Sequence, residues 1–465
     1  MTPPKDPTFQ AAVDDILALR DVNKVDSKQD FAAFERMLRQ KTMALEREVL
    51  AEHLRAADVD APKLEIGGVA HRRVLRKPQT YLTSAGEVTV ERSLYREVGK
   101  RRGKAVAALD VSIGVVGGYV TPQAAQVGLY VLQAMTPSAS EKLLKRVGTM
   151  QPSKSTLHRL ANEISEDWEA NREAFERDLR RSIKIPDGTA SIAISLDGVL
   201  APMANGDKAR KRETTEAAGK TPSGPAGYRE VGCATMSFCD KDGELLSAIR
   251  FARAPEQNKR VLKSMLAAEL KAVRDLQPGL PVVKLADGAE DNWTFLSGEM
   301  SEGVEVVDFF HAVEHLASGL DAAYGEGSPR AKDRLTELRR ALLAEDEGVE
   351  HVVRALSRLE AKHPRRTKLR RSVGYFRKHR HRMSYAALRK RGLPIGSGVV
   401  EAACKTVVGQ RLKLSGMRWG DDGAQAILTP RGWVQSDRFD EAMCLMAATY
   451  KLTVTTVDQV MQCAP

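Results

Sequence analysis

Apolar and polar residues change rhythm several times along the chain, and each change marks an element. From about Gln29 to Ala57, Phe31, Phe34, Leu38, Leu45 and Val49 recur near helical spacing among charges, so residues 1–62 read as a helical region. Val74 to Arg96 then alternates polar and apolar around Ser84-Ala85-Gly86, the pattern of a β-hairpin with a glycine-containing turn. Lys100 to Lys104 is a Gly- and base-rich loop. Thr121-Pro122 opens a helix, because proline is tolerated in a first turn. Further helices are expected over Ser138–Val147 and Ser153 to about Arg181.

Past Ile185-Pro186-Asp187-Gly188 the texture turns to strands. The expected order is a strand Ser191–Leu196, a hairpin of Val231–Phe238 with Leu245–Phe251, an amphipathic helix Gln257–Leu276, and strands Val282–Ala286 and Val304–Val307. Residues 202–227, rich in Gly and Pro, read as a mobile insertion loop. Ala312 to Arg391, and the chain from Gly398 onward, read as mostly helical. The expected organisation is α+β and multidomain. It runs from a helical region (1–62) through a basic β-hairpin region (63–120) to a helix-turn-helix-like DNA-binding region (121–188). A core (189–312), a basic helical insertion (313–393) and the C-terminal helical part of the core (394–465) follow.

Composition narrows the class. With 42% hydrophobic and 29% charged residues over 465 positions, global disorder is excluded. No stretch approaches the roughly 18 apolar residues of a membrane span, and Met1–Gln10 carries no apolar signal segment. The five cysteines, Cys233, Cys239, Cys404, Cys444 and Cys463, form no C-x-x-C pair, which argues against a disulfide framework and a zinc ribbon. A cytoplasmic, nucleoid-associated protein is expected.

The net charge of +11 and pI near 9.3 point to a polyanion only if the charge is clustered. It is. Lys362, Arg365, Arg366, Lys368, Arg370, Arg371, Arg377, Lys378, Arg380, Arg382, Arg389, Lys390 and Arg391 fall in one window without an Asp or Glu. Such a one-signed run is stabilised by nucleic-acid phosphates, with steep salt dependence. The hairpin adds Arg72, Arg73, Arg76, Lys77, Arg92 and Arg96. The helix start Pro152-Ser153-Lys154-Ser155-Thr156 offers Lys154 and Arg159 to DNA as a recognition helix would.

Two strands are read as ending alike, on Asp197-Gly198 and Asp287-Gly288. An acid at a strand's carboxyl end stands at the sheet rim, and a neighbouring glycine admits close approach. The order of strand with Asp, hairpin, helix, strand with Asp, strand and helices is that of a ribonuclease H-like fold. That fold needs a further acid from a later helix, and Pro394-Ile395-Gly396-Ser397-Gly398-Val399-Val400-Glu401 supplies one. Three convergent carboxylates suit two Mg²⁺ ions, with Mn²⁺ as a substitute, in a two-metal phosphoryl transfer.

The stretches SLDGV, KLADGAEDNW, DFFHAVEHL and PIGSGVVEAACKTVVGQRLKLSGMRW, with QTYLTSAGEVTVERSLYR and LDVSIGVVGGYVTPQAA upstream, resemble bacterial insertion-sequence transposases of the ISKra type. These belong to the Asp-Asp-Glu superfamily with a ribonuclease H-like core. The resemblance implies that Asp197, Asp287 and Glu401 chelate the metal pair, with Asp308 and His311 supporting the site. It also implies cleavage at transposon ends, attack of the freed 3′-hydroxyl on target DNA, and a homodimer or larger assembly on double-stranded DNA. Arg365, Arg366, Arg370, Arg371, Arg377, Lys378 and Arg380, then Lys405, Arg411, Lys413, Arg418 and Trp419, are the expected DNA contacts. The cysteine pairs that relatives carry after the ribbon are replaced here by Glu97–Gly103, so no metal-stabilised ribbon is expected.

Two other readings use the same residues. His311, Glu314 and His315 fit the H-x-x-E-H pattern of inverted zinc peptidases. A domesticated, non-catalytic transposase acting as a DNA-binding repressor is the other. Trp419 is either a core anchor or a platform for an unpaired base.

Overall fold

A computed structural model describes residues 7–20, 31–204, 207–221, 227–298, 300 and 302–456. The chain divides into two compact units. One takes in the described residues up to Phe175 and those from Phe439 onward; the other runs from Glu176 to Arg438. Each unit is built on its own five-stranded sheet, so the class is mixed α+β. The return of the C-terminal segment to the first unit differs from the sequence reading, which kept 394–465 with the core.

In the first unit, helices α1 (Pro7–Ala18) and α2 (Phe31–Ala57) precede strands β1 (Lys63–Ile66), β2 (Val69–Thr83), β3 (Gly86–Glu97) and β4 (Val106–Ala107). The hairpin is where the alternation put it, turning at Ser84-Ala85, with one register shift between Arg73 and Leu75. Helices α3 (Ala108–Ile113), α4 (Pro122–Ala134), α5 (Pro137–Val147) and α6 (Lys154–Ala170) follow, and α7 (Arg172–Arg181) leads out of the unit. The single helix expected over 153–181 is therefore two, interrupted at Asn171. Ser153 caps α6, its hydroxyl accepting from Thr156 N at 3.1 Å.

Only part of the hairpin's charge is offered to solvent. Arg73 and Arg76 pair with Asp60, and Arg76 reaches Asp58 as well. Arg92 is buried. Its guanidinium meets Asp110 of α3, donates to Gln79 Oε1 at 2.8 Å and packs beside Tyr81, whose hydroxyl also donates to Asp110. Reading Arg92 as part of a basic DNA-facing ribbon is thus corrected: it is a core ion pair.

The second unit begins with β5 (Ser191–Pro202), α8 (Asp207–Ala217), β6 (Tyr228–Cys239), β7 (Leu245–Arg253), α9 (Arg260–Leu276), β8 (Val282–Ala286), α10 (Glu290–Gly298) and β9 (Val304–Val307). Helix α8 lies within the segment read as a loop, and α10 has no counterpart in that reading. Residues 205–206 and 222–226 of that segment lie outside the described ones. The sheet order is β7-β6-β5-β8-β9, with β5–β8 and β8–β9 parallel and the rest antiparallel. Strand β5 overruns its expected end: it pairs with β6 as far as Pro202↔Tyr228, while its pairing with β8 stops at Ser195↔Leu285.

Helices α11 (Phe309–Tyr324), α12 (Pro329–Ala344), α13 (Gly348–Lys362), α14 (Thr367–His379) and α15 (Tyr385–Lys390) form the basic block. Leu316, Leu356, Leu369 and Phe376 bind these helices to one another, and the same core is continuous, through Phe309 of α11, with Val306 and Val307 of the sheet edge. Then α16 (Gly398–Ala403) runs through a π-helical turn, Cys404–Gly409, into α17 (Gln410–Leu412), and α18 (Asp421–Gln435) follows. These pack on β5–β7 through Val400, Ala403, Val407, Leu412, Ala424 and Leu428. In the first unit, α19 (Phe439–Tyr450) and β10 (Val454–Thr456) close the chain, β10 pairing antiparallel with β1. Among the described residues no helix is long and apolar enough to cross a membrane.

Removing one member of a buried ion pair leaves the other charge uncompensated. Asp110→Ala is expected to lower the stability of the first unit by about 3–5 kcal/mol, read from its urea midpoint. A loss below about 1 kcal/mol would mean that the Arg92 pair is not a structural element.

Candidate active site

The ladder registers bring the predicted acids into one row. Asp197 pairs with Cys233 on β6, and Cys233 with Ala252 on β7. On the other side, Ser195, Leu285 and Val306 are in register across β5, β8 and β9. Two residues further along stand Asp197, still on β5, and Asp287 and Asp308, each the first residue past its strand, so the register brings the three acids to one edge of the sheet. Neighbouring strands lie about 4.8 Å apart, which sets the spacing of the row. Asp197 is thus not at the end of its own strand, as the sequence suggested, but where its parallel partner runs out. The antiparallel partner β6 carries β5 onward past it.

Helix α16 brings Glu401 over the same face. Asp308 fixes its approach: Oδ1 accepts from His311 N at 2.6 Å, capping α11, and Oδ2 accepts from the backbone N–H of Ser397, one residue before α16. Both oxygens of this buried carboxylate are committed, so Asp308 is a structural clamp between β9, α11 and the Glu401 loop. Ser397 Oγ in turn donates to Glu401 Oε1 at 3.3 Å. One turn beyond Glu401, the Cys404 thiol donates to Asp197 Oδ2 at 3.6 Å. The Asp287 turn has its own frame: Oδ1 accepts from Ala289 N at 3.0 Å and Asn292 Nδ2 at 3.4 Å, and Trp293 Nε1 donates to the Asp287 carbonyl at 2.7 Å.

The electrostatics are those of uncompensated acids. Burial raises the Asp197 carboxyl above its ordinary range, and the Asp287 charge adds to the rise; the Gly198 N–H, the Cys404 thiol and Lys259 oppose it. Burial also raises Glu401, reinforced by Asp308, Asp197 and Glu314, with the Ser397 hydroxyl opposing. Among the described residues none of Asp197, Asp287 and Glu401 forms an ion pair, and no three His, Cys, Asp or Glu side chains close into a ligand set. The row is open, all-oxygen in its acids and in excess of negative charge. That donor chemistry fits a hard divalent cation rather than a soft one.

The predicted basic residues divide. Five of the acid-free window acquire acidic partners from other segments: Arg370 with Glu360, Lys378 with Glu290, Arg380 with Glu350, Arg382 with Glu305 and Lys390 with Asp346. Arg377 donates to Ser357 Oγ at 3.0 Å. Most of these pairs are solvent-exposed and weak, so they yield readily to a phosphate. Arg365, Arg366, Lys368 and Arg371 are exposed, with no ion pair among the described residues. At 3.6 residues per turn, Lys368, Arg371, Tyr375 and Lys378 occupy one arc of about 80° on α14. The bases therefore form a stripe beside the Asp287 turn, since Tyr375 lies against Gly288.

In the C-terminal motif, Lys405, Lys413 and Arg418 are exposed. Arg411 is not: it is fully buried under Trp419, its guanidinium 5.0 Å from the ring centroid, and burial lowers its pKa to about 10. The reading of Arg411 as a DNA contact is corrected on that ground. Trp419 is partly buried against the α16–α18 core, its indole N–H donating to Leu412 O at 3.1 Å, which makes it an anchor of this corner. In the first unit, Lys154 is exposed, while Arg159 donates to the Tyr119 hydroxyl at 2.8 Å and lies over its ring. In the H-x-x-E-H motif, His315 is stacked on Tyr375 and His311 lies 3.5 Å from Glu314.

Asn292, Tyr375, His379 and Cys404 were not assigned to the site from the sequence, yet all four lie around the acids. The spacing of Lys368, Arg371, Tyr375 and Lys378 was the available signal for Tyr375. The other three have no local pattern.

For an acid whose pKa is raised in the folded state, the charged form is the penalised one. The penalty is absent below the ordinary carboxylate range and complete above the raised value, so stability falls as pH climbs between them. Asp197→Asn in metal-free protein is therefore expected to raise the melting temperature at pH 8 by roughly 2 °C, with the gain vanishing below about pH 3. Scanning fluorimetry in chelator checks it; an equal gain at both pH values would remove charge as the cause.

No protein-family model and no curated protein matches the chain. Among solved structures, it is similar to the Drosophila P element transposase strand transfer complex at 12% identity and a TM-score of 0.36, covering 70% of this chain and 93% of that one.

Proposed function

We propose that the protein is a DNA transposase that cuts at transposon ends and joins the freed 3′-hydroxyl to target DNA. The observation that carries this reading is the row Asp197–Asp287 with Glu401 above it, set beside a stripe of bases on α14. The sheet order, with a hairpin on one side of β5 and two parallel strands on the other, is the order expected of a ribonuclease H-like core. The resemblance to ISKra-type transposases supports the same reading.

Asp197, Asp287 and Glu401 would hold the two divalent cations, Mg²⁺ or Mn²⁺. When bound, such a pair activates the attacking oxygen and stabilises the leaving one. The chain's own residues do the rest. Asp308 and Ser397 hold Glu401 in place. Lys368, Arg371 and Lys378 receive backbone phosphates and orient the strand, and the mutual repulsion of the acids makes the site hungry for cations. Substrate and target are double-stranded DNA, and the working assembly is a homodimer or larger, since two ends must be held together.

The test begins with inverted repeats in the DNA flanking the gene, used as duplex substrates. Asp197→Asn, Asp287→Asn and Glu401→Gln are each expected to reduce Mg²⁺-dependent cleavage at least about 100-fold while DNA affinity stays within about threefold. Wild-type protein that binds the repeats but cuts no better than these variants would leave only the repressor reading. Lys368→Ala with Arg371→Ala is expected to lower the log–log salt slope of DNA binding by about 2. An unchanged slope would take α14 out of the interface.

A further inference from the structure

Tyr375 lies where the basic stripe of α14 meets the Asp287 turn. Its ring is stacked on His315 with centroids 3.8 Å apart and 13° between planes, and His379 flanks it at 4.9 Å. Along its Cε2–Cδ2 edge it fills the space above Gly288. A β-carbon at 288 would stand 2.6 Å from Tyr375 Cε2 and 3.5 Å from His379 Nε2. Gly288 is not among the glycines with positive φ, so backbone conformation does not call for glycine here. The ring does. The Asp-Gly pair that looks like a turn starter is a seat for an aromatic residue 87 positions later in the chain.

The hydroxyl contributes no hydrogen bond that would explain the placement: it is buried and unpartnered among the described residues. Burial and the charges of Asp287, Asp308 and Glu314 hold the phenol protonated. What remains is shape. The ring is stacked on an imidazole and its edge lies against Gly288, and Asp287 is the residue next to that glycine.

We infer that Tyr375 is a positioning residue for Asp287: its ring, stacked on His315 and seated against Gly288, sets the Asp287 turn for a divalent cation and couples that setting to phosphate contact by Lys368, Arg371 and Lys378 on the same side of α14. The inference rests on the metal-dependent reading of the acid row. A phosphate held by the stripe fixes the rotation of α14 about its axis. That rotation fixes the ring, and the ring fixes the turn. Close-packed interiors transmit such shifts because side chains have little free volume to absorb them.

The test is calorimetric titration of Mn²⁺ into the full-length protein bound to an uncleavable duplex, with metal-free DNA affinity measured separately. Tyr375→Leu is expected to weaken Mn²⁺ binding about tenfold and leave DNA affinity within twofold. Tyr375→Phe, which keeps the ring, restores the wild-type Mn²⁺ affinity. In the apo protein, Gly288→Ala is expected to lower the melting temperature in the wild-type and Tyr375→Phe backgrounds, which retain Cε2, and to lower it markedly less in the Tyr375→Ala background. Mn²⁺ affinity unchanged in Tyr375→Leu, while Asp287→Asn weakens it, overturns the inference and leaves the metal reading standing. Mn²⁺ affinity unchanged in Asp287→Asn overturns the metal reading itself. Parallel losses of Mn²⁺ affinity, DNA affinity and melting temperature in Tyr375→Leu make the ring a general packing residue and also overturn the inference.

Discussion

The parallel pairing of β5 with β8 and of β8 with β9 brings carboxylates at the ends of these pairings into one row, and among the described residues no base forms an ion pair with its open members. Strand spacing cannot relax to spread like charges, because the hydrogen-bond ladder and the packed apolar residues beneath it set the distance. The repulsion is therefore built in. Burial raises the carboxyls of Asp197 and Glu401 above their ordinary range, and the neighbouring acids add to the rise.

Much of the second unit can be understood as holding that row open. Asp308, the member that could have closed it, is withdrawn: both its oxygens serve backbone N–H groups, and through Ser397 they steer α16 so that Glu401 reaches the face. The π-helical turn directly after α16 widens the helix where Cys404 meets Asp197. Such turns are often found at functional sites, because an inserted residue re-aims side chains without breaking the helix. Asn292 and Trp293 tie down the Asp287 turn from α10, and Tyr375 covers it from α14.

The charge of the chain acquires a geometry only in the fold. Thirteen bases in an acid-free window read as one repulsive surface. Folded, they split into bases paired with Glu290, Glu305, Asp346, Glu350 and Glu360, and others, such as Lys368 and Arg371, that stay exposed beside the acids. The same sorting buries Arg92 against Asp110 and Arg411 under Trp419, so residue type alone overstated the solvent-facing positive surface.

Local pattern determined the elements whose signal is local: the hairpin around Ser84–Gly86, the proline-started α4, the strands Val282–Ala286 and Val304–Val307, and the order that places Asp197, Asp287 and Glu401 on successive pieces of one unit. Periodicity and turn chemistry act over a few residues, so they can be read there. It missed the break at Asn171, helices α8 and α10, and strand β10, which owes its existence to pairing with β1 nearly 400 residues earlier. Where β5 ends was likewise decided by β6, not by Asp197-Gly198. Which arginines reach solvent, why residue 288 is glycine, and that Asp308 is a clamp rather than a free acid all depend on contacts between distant segments. Those contacts leave no trace in spacing along the chain; only tertiary packing decided them.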